Sequence, residues 1–265
     1  MAFFVECSKN NIPENKVHSI KDLANKKVGV IKGTTAEAYA IDFECDSNKM
    51  VLERFTNLAE MRDALFKGEL DAVLSDDVPA KMLVEEDASL QLLDEALKEE
   101  SYAGVIAKNN WSLLDSVNIA LIQMRATGAY DSIMSSYVSD GDKYHFQPVP
   151  TKGAALRVAT YAKFPPFVYY NDNKEIEGAD IDIARYVANH MERPLEIIDM
   201  EFEKIIDAVR DGKVDLGLAA FSVTDDRKQI IDFTYNYATS KIVVIVRSGK
   251  PKSFFQRFKD SIFKS

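Results

Sequence analysis

The sequence contains little cysteine or histidine, and its positive charge is outweighed by negative charge. Cys7 and Cys45 fit no metal-ligand spacing, and two unrelated thiols are a better interpretation than a disulfide, which stays open. The three histidines lie far apart and form no zinc motif. A net charge of −9 argues against nucleic-acid binding, which needs a basic face. We therefore expect no metal, no cofactor and no nucleic-acid partner.

Long apolar runs are also missing. No stretch approaches the roughly 20 apolar residues of a membrane span, and the densest, 242–246, has the length of a strand. The first residues lack the cationic start and apolar core of a signal peptide. With 46% hydrophobic and 28% charged residues, the 265-residue composition is typical of one or two globular domains. We expect a soluble piece, from which an export signal could have been removed.

Short strand and helix patterns alternate along the chain, which predicts an α/β fold. Strands are predicted at 3–5, 27–31, 51–55, 70–74, 102–107, 156–160, 195–199, 214–220 and 242–246. Helices are predicted from about 35 to 43, after Pro79, and at 58–66, 113–125, 129–137, 178–191 and 202–210. The Pro- and Gly-containing stretch 140–154 has no apolar period and is predicted to be a linker.

A buried strand that ends abruptly in polar residues marks the most informative stretch, 214–227. In α/β proteins the carboxyl ends of strands are where ligands bind. Ser222 offers a donor and an acceptor, and Arg227 offers a planar guanidinium suited to a carboxylate. The alternative is an ordinary helix N-cap at Ser222 or Thr224, followed by a surface arginine.

Two segments of the chain resemble each other. Residues 64–74 align with residues 208–218, so that Ala, Gly, Asp and Leu recur at equal spacing. Each copy predicts a helix, a glycine stop and a strand with a polar end. The first ends in the anionic Ser75-Asp76-Asp77, and the second leads to the cationic Arg227. Two similar lobes with polar ends of opposite charge suggest that a zwitterion is held between them.

These residues resemble the extracellular amino-acid-binding proteins (solute-binding family 3) of ABC importers. That family has the type II periplasmic-binding-protein fold, in which two α/β lobes are joined by two hinge strands. The motifs resembling lobe one are at 164–167, 178–184, 200–202, 215–218 and 222–227, and those resembling lobe two are at 20–23, 28–30, 33–35 and 71–76.

The order of the motifs departs from that family, because the lobe-two motifs come first. The chain looks circularly permuted, or cut across a tandem pair of such domains. The expected organisation is a hinge strand at 1–8, lobe two at 9–101, the closing part of lobe one at 102–139, the linker at 140–154, the opening part of lobe one at 155–249 and an amphipathic tail at 250–265. A single closed body is favoured over a swapped dimer.

The resemblance implies a role for each polar residue of the expected site. Arg227 would bind the α-carboxylate of an amino acid with two hydrogen bonds, and Ser222 would add its hydroxyl and N–H groups. Thr34 and Thr35, at a helix start of the other lobe, would contribute backbone N–H groups. Asp76 would bind the α-ammonium, although a helix N-cap before Pro79 is an equally good interpretation of this residue.

The remaining expected contacts are carbonyl and aromatic groups. The carbonyl of Ala220 would help to hold the α-ammonium. Phe164 and Phe202 would form apolar walls, with core packing as the alternative. Tyr161 stands where some relatives carry an acidic residue, so a Lys or Arg ligand is less expected and the side-chain preference stays open. The two hinge strands would lie near 3–5 or 242–246 and near 102–107.

The resemblance implies a binding function rather than catalysis. We expect an extracellular or periplasmic module that delivers a free amino acid to an ABC permease. The permease is either separate or fused to the module, which associates with the membrane through the transporter. The alternatives are a dehydratase-like enzyme on the same fold, for which no nucleophile–base pair is present, and a non-transport sensor or remnant. The tail at 250–265 resembles the start of a fused permease segment or, equally well, a docked amphipathic helix.

Overall fold

A computed structural model describes residues 15, 17–43, 49–138, 144–146 and 148–249. Within them the chain is α/β, as predicted. The helices are α1 Thr35–Asp42, α2 Leu58–Lys67, α3 Asp77–Glu86, α4 Trp111–Ala126, α5 Ala129–Val138, α6 Ala179–His190, α7 Phe202–Arg210 and α8 Asp225–Ile230. The strands are β1 Lys27–Ile31, β2 Val51–Phe55, β3 Ala72–Asp76, β4 Leu90–Leu92, β5 Lys98–Tyr102, β6 Val105–Ala107, β7 Leu156–Thr160, β8 Lys163–Phe164, β9 Val168–Tyr170, β10 Ile176–Glu177, β11 Leu195–Asp199, β12 Leu216–Gly217, β13 Ile231–Phe233 and β14 Ala238–Arg247.

One sheet forms lobe two, with the strand order β2-β1-β3-β14-β4 and β5 also paired to β14. Strand β1 runs parallel to β2 and β3, whereas β14 runs antiparallel to β3. Alternate residues of β14 face opposite cores: Ile242 and Val244 enter one apolar cluster, and Val243 and Ile245 enter the other. Because side chains alternate along a strand, this sheet is covered on both faces.

A second sheet forms lobe one, with the strand order β11-β7-β12-β6-β13. Strand β7 is parallel to β11 and β12, and β6 is antiparallel to β12 and β13. Residues of α4, α5 and α6 build the core on one face, and residues of α7 build the core on the other. A small antiparallel sheet, β10-β9-β8, adjoins this lobe.

Two crossovers connect the lobes, as expected for the type II periplasmic-binding-protein fold. The chain passes from β5 to β6 through residues 103–104, and from β13 to β14 through residues 234–237. The backbone N–H of Tyr237 donates to the carbonyl of Tyr102 at 2.8 Å, so the two crossovers lie side by side. The predicted single strand at 102–107 is interrupted at this point, because its two ends belong to different sheets.

The last strand returns to lobe two. Residues 238–247 were expected within the lobe-one segment 155–249, but β14 pairs with β3, β4 and β5. A continuous apolar run predicted the strand at 242–246 but not its partners, which lie far away in sequence. The described part of the chain therefore begins in lobe two, passes through lobe one and ends in lobe two.

The internal repeat corresponds to two equivalent structural units. Helix α2 ends at Gly68 in the left-handed conformation before β3, and α7 is followed by Gly212, with φ 69°, before β12. The repeated aspartates make the same contact, since Asp71 accepts from the N–H of Lys27 and Asp215 accepts from the N–H of Arg157. Each aspartate thus fastens the start of its own strand to the start of the neighbouring parallel strand.

Some expectations concern residues that are not described. The hinge strand at 1–8, both cysteines and the tail at 250–265 lie outside the described residues. The described residues of the expected linker, 144–146 and 148–154, form neither helix nor strand. Tyr144 and Phe146 contact each other edge to face at 4.7 Å and pack against the core of lobe one.

Candidate functional site

The nine residues expected to bind a ligand all line one cavity between the lobes. Thr34, Thr35 and Asp76 come from lobe two; Tyr161, Phe164, Phe202, Ala220, Ser222 and Arg227 come from lobe one. Ile31 and Ala219 complete the lining. The volume open to water is about 20 Å³, so the lobes are closed on each other with space for about one water molecule.

Arg227 forms the cationic end of the cavity. It lies on α8, whose N-cap is Thr224, so the alternative that Ser222 caps this helix is not what the structure shows. The guanidinium donates to the carbonyl of Ser222 at 2.9 Å and to the carbonyl of Gly33 at 3.0 Å. Because Gly33 belongs to lobe two, Arg227 connects the lobes. Burial lowers the pKa of Arg227, and Glu100 and Asp76 oppose that shift.

Aromatic rings form the wall beside Arg227. Phe202 stacks on Phe221 with ring centroids 4.7 Å apart, and the guanidinium carbon lies 5.6 and 5.5 Å from the two ring centroids. Tyr161 meets Phe202 edge to face at 6.0 Å. Phe164 and Phe202 also pack into apolar clusters of lobe one. These two rings therefore both line the cavity and pack in the core of lobe one.

Asp76 forms the anionic end of the cavity. It occupies the N-cap position of α3, yet its side chain makes no capping hydrogen bond. Its side chain is only partly exposed. Loss of solvation, followed by repulsion from Glu100, raises the pKa of Asp76 to about 7. Tyr102 and Arg227 oppose this shift. Since the capping interaction is absent, the carboxyl group is available at the cavity.

The start of α1 brings two threonines to the same place. Thr34 is the N-cap, and its hydroxyl accepts from the N–H of Glu37 at 3.3 Å. Thr35, at the first position of the helix, places its hydroxyl oxygen 3.3 Å from that of Ser222 of the other lobe. The helix start therefore faces the cationic end, with its N–H dipoles oriented to favour an anion.

Glu100 was not among the predicted site residues, although it lies at the centre of the polar contacts. Its side chain is 2% exposed, and its Oε2 accepts from the hydroxyls of Thr35 and Ser222, each at 2.6 Å. Backbone bonds join residues 221–223 to residues 101–103, which brings Ser222 next to β5. The alternation along β5 could have indicated it, because Glu100 lies two residues before the buried Tyr102 and shares its side of the strand.

Asp180 is a second residue that the prediction did not include. Ala220 has a positive φ of 50°, and its N–H donates to Asp180 Oδ2 at 2.8 Å and to the hydroxyl of Tyr237 at 3.1 Å. These two acceptors fix a backbone conformation that alanine rarely adopts. Complete burial raises the pKa of Asp180 to about 7. The motif at 178–184 contained this residue, but its partner is too distant in sequence to be inferred.

Tyr161 lines both the main cavity and an adjoining cavity of about 120 Å³. Its hydroxyl is buried and has no hydrogen-bond partner among the described residues. Burial, followed by Glu201 and other carboxylates, raises its pKa. Near this end of the site, Lys32 of lobe two forms an ion pair at 3.3 Å with Glu203 of the other lobe.

In the part of the chain that is described, no group of three or more His, Cys, Asp or Glu residues is arranged to hold a metal ion. No helix in that part combines the length and apolar character needed to cross a bilayer.

The two lobes, the paired crossovers and the cavity between them define the type II periplasmic-binding-protein class. Comparison with known proteins agrees: residues 156–263 match the family model of bacterial extracellular solute-binding proteins, family 3. The resemblance to solute-binding family 3 that the sequence motifs indicated is thereby confirmed for residues 156–263.

Three relatives illustrate the similarity. The chain is 31% identical over 106 residues to a probable histidine-binding protein of Neisseria gonorrhoeae, with 40% of each chain covered. It is 28% identical over 94 residues to an L-arginine-binding protein of Pseudomonas aeruginosa, with 36% of each covered. A solved ancestral arginine-binding protein bound to arginine is 38% identical, over 30% of this chain and 35% of that one, with a TM-score of 0.30. The chain thus spans about two fifths of the length of the curated relatives it matches.

Proposed function

We propose that this chain binds one free amino acid between its lobes, without turnover, as the binding module of an ABC importer. The observation that carries the proposal is that Arg227 and Asp76, of opposite charge and from opposite lobes, line the same cavity. An amino acid carries both charges within a few ångströms. Because closing the lobes removes both charged groups from water, each needs a partner inside the cavity.

The carboxylate end of the ligand would bind to Arg227. Its guanidinium now donates to two backbone carbonyls, one of which belongs to Gly33 of lobe two. When the lobes separate, the bond to Gly33 is broken and the guanidinium can take a carboxylate, a stronger and charge-assisted partner. Ser222, Thr34 and Thr35 would supply the remaining donors.

The ammonium end of the ligand would bind to Asp76 and to the carbonyl of Ala220. The unused capping position of Asp76 supports this role, as does the fixed backbone at Ala220. The side chain of the ligand would lie against Phe164 and Phe202 and extend toward Tyr161. A side chain that hydrogen-bonds to the Tyr161 hydroxyl would fit this end of the cavity.

Binding requires movement of the lobes, since the closed cavity of about 20 Å³ is too small for any amino acid. The crossovers at 103–104 and 234–237 are the connections about which a hinge motion would occur. The proposal also includes delivery to a separate or fused permease, with membrane association through the transporter. It includes an extracellular or periplasmic location, a permuted or tandem-cut chain order, and a monomer rather than a swapped dimer.

A thermal-shift screen over the twenty amino acids tests the proposal. A ligand present at a hundred times its Kd stabilises the folded chain by about 2.7 kcal/mol, and each kcal/mol raises Tm by roughly 2–4 °C. We expect at least one amino acid to give such a shift, Arg227→Ala to abolish it and Lys228→Ala to retain it. Lys228 is a matched control because it lies on the same helix and pairs with Asp225 in solvent. The absence of any shift would remove the proposed function.

A further inference from the structure

A carboxylate of the protein itself lies where two hydroxyl groups of opposite lobes meet. Oε2 of Glu100 accepts from Thr35 of lobe two and from Ser222 of lobe one, at 2.6 Å in each case. The two hydroxyls are 3.3 Å apart, so a single oxygen atom is held between them. This contact joins the lobes through the site.

The donors around Glu100 are those that the proposed function assigns to a ligand carboxylate. Thr35 and Ser222 donate to Glu100 directly, and Arg227 interacts with it electrostatically. The start of α1 faces the same point with its N–H groups. A second carboxylate brought to these donors would meet a like charge at close range, which is unfavourable in a poorly solvated cavity.

We infer that Glu100 is an internal competitor of the ligand, occupying the α-carboxylate position and closing the lobes until an amino acid displaces it. This inference rests on the proposed function, because it takes the carboxylate position from that assignment. It makes Glu100 a residue that weakens affinity and selects against weakly binding carboxylates.

A displaced Glu100 side chain has an alternative partner in Lys98. Its Oε1 lies 3.8 Å from the ammonium of Lys98, two residues earlier on β5. Both residues line a groove of about 480 Å³ along the crossovers, on the solvent side of the site. A rotation of the side chain toward Lys98 would place the carboxylate in this open groove and convert the 3.8 Å contact into a closer ion pair.

The test compares Glu100→Ala with Glu99→Ala in the full 265-residue chain. Glu99 is the matched control, because it is the neighbour on β5, its side chain is 79% exposed and it pairs with Lys241. The probes are the twenty amino acids and the decarboxylated amine of each binder, such as histamine for L-histidine and agmatine for L-arginine. We expect Glu100→Ala to bind its amino acid at least tenfold more tightly, with no such gain for the amine or in Glu99→Ala.

A pH profile measures the effect of the Glu100 charge on Asp76 and accompanies the affinity comparison. Asp76 faces Glu100 and Tyr102 on β5, Asp77 on α3 and Arg227 on α8, and Glu100 is the second largest cause of its raised pKa. An ammonium ligand needs the ionised form of Asp76, so affinity in the wild type rises with pH up to about 7. In Glu100→Ala and Glu100→Gln the midpoint of this rise moves to lower pH.

The outcomes distinguish this inference from the proposed function. If the wild type binds an amino acid but neither Glu100 variant gains affinity relative to the amine, the inference is overturned and the proposed function stands. If no variant binds any amino acid, the proposed function is overturned. Should Glu100→Ala lose its circular-dichroism signal of folding, Glu100→Gln, which keeps the shape of the side chain, provides the same comparison.

Discussion

The role of Arg227 depends on the geometry of its side chain as well as on its charge. The guanidinium of Arg227 makes two hydrogen bonds in fixed directions and lies over two aromatic rings. Lysine carries the same charge but lacks the planar pair of donors. Charge alone is therefore insufficient at this position.

We predict that Arg227→Lys weakens amino-acid affinity by at least tenfold, because a bidentate contact becomes a single one. Isothermal titration calorimetry with the amino acid identified by the screen measures this change. Lys228→Gln on the same helix should leave Kd unchanged. Equal affinity of Arg227→Lys and the wild type would contradict the role assigned to the guanidinium.

Asp180 makes the stability of the folded chain depend on pH. Its pKa is about 7 in the folded state against a usual value of 3.8, so the folded state retains a proton that the unfolded state has released. The free energy of unfolding therefore falls as pH rises from about 4 to 7, and Asp76 acts in the same direction.

We predict that Asp180→Asn reduces the decrease in the free energy of unfolding with rising pH, because asparagine keeps an acceptor for the N–H of Ala220 but does not ionise. Thermal unfolding at intervals from pH 5 to 8, without ligand, measures the slope. Asp211→Asn is the control, since the ion pairs of Asp211 lower its pKa and it titrates below this range. Parallel slopes in the wild type and Asp180→Asn would show that Asp180 does not carry the effect.

At this scale the sequence predicted the residues whose neighbours are local. Ser222, Asp76 and Arg227 stand out because polar residues follow buried strands. Glu100 and Asp180 could not be assigned in the same way, because their partners are 122 and 40 residues away. Tertiary pairing of the crossovers, rather than any local pattern, brings these groups into the site.

Among the elements, the start of α6 depends on a close backbone contact. Gly178 precedes the helix with a φ of 132°, and a Cβ atom there would lie 2.2 Å from the carbonyl oxygen of Phe167. This contact fixes the orientation of α6 and hence of Asp180 in its first turn. A side chain at position 178 cannot be accommodated without moving the backbone.

We predict that Gly178→Ala lowers the free energy of unfolding by at least about 3 kcal/mol, from strain and steric overlap together. Gly128→Ala is the control, because Gly128 has a φ of 75° but its Cβ would meet none of the described atoms within 4 Å. It should cost only about 1 kcal/mol. Urea unfolding of both variants measures the difference, and equal losses would refute the steric explanation.

Elements with a strong local pattern were predicted with nearly their observed bounds, as with 27–31, 195–199 and 202–210. The strand at 102–107 was not, because apolar character continues through a point where the chain changes sheets. Strand β5 begins with charged residues, and only its last residue, Tyr102, lay within the predicted strand. The repeat gave the strongest information, since Asp71 and Asp215 make equivalent contacts in the two lobes.

For the whole molecule, contacts of the site itself help to hold the two lobes closed. Arg227 donates to Gly33, and Glu100 connects Thr35 with Ser222. The ion pair of Lys32 with Glu203 also crosses the cleft, but the lysine side chain is 62% exposed and such a pair contributes little. Closure thus depends on the same groups as binding.

We predict that Glu100→Ala, without ligand, has a larger radius of gyration in small-angle X-ray scattering than the wild type. Addition of the amino acid should return it to the wild-type value, because the ligand replaces the lost contact between the lobes. Lys32→Ala should leave the radius unchanged. If the radius of Glu100→Ala equals that of the wild type without ligand, Glu100 does not hold the lobes closed.

The central claim is that one zwitterion contacts Arg227 with its carboxylate and Asp76 with its ammonium. The most direct measurement is a calorimetric comparison of the amino acid with its decarboxylated and deaminated analogues, in the wild type, Arg227→Ala and Asp76→Asn. We predict that Arg227→Ala loses discrimination against the decarboxylated analogue alone, and Asp76→Asn against the deaminated analogue alone. Unchanged discrimination in both variants would contradict it.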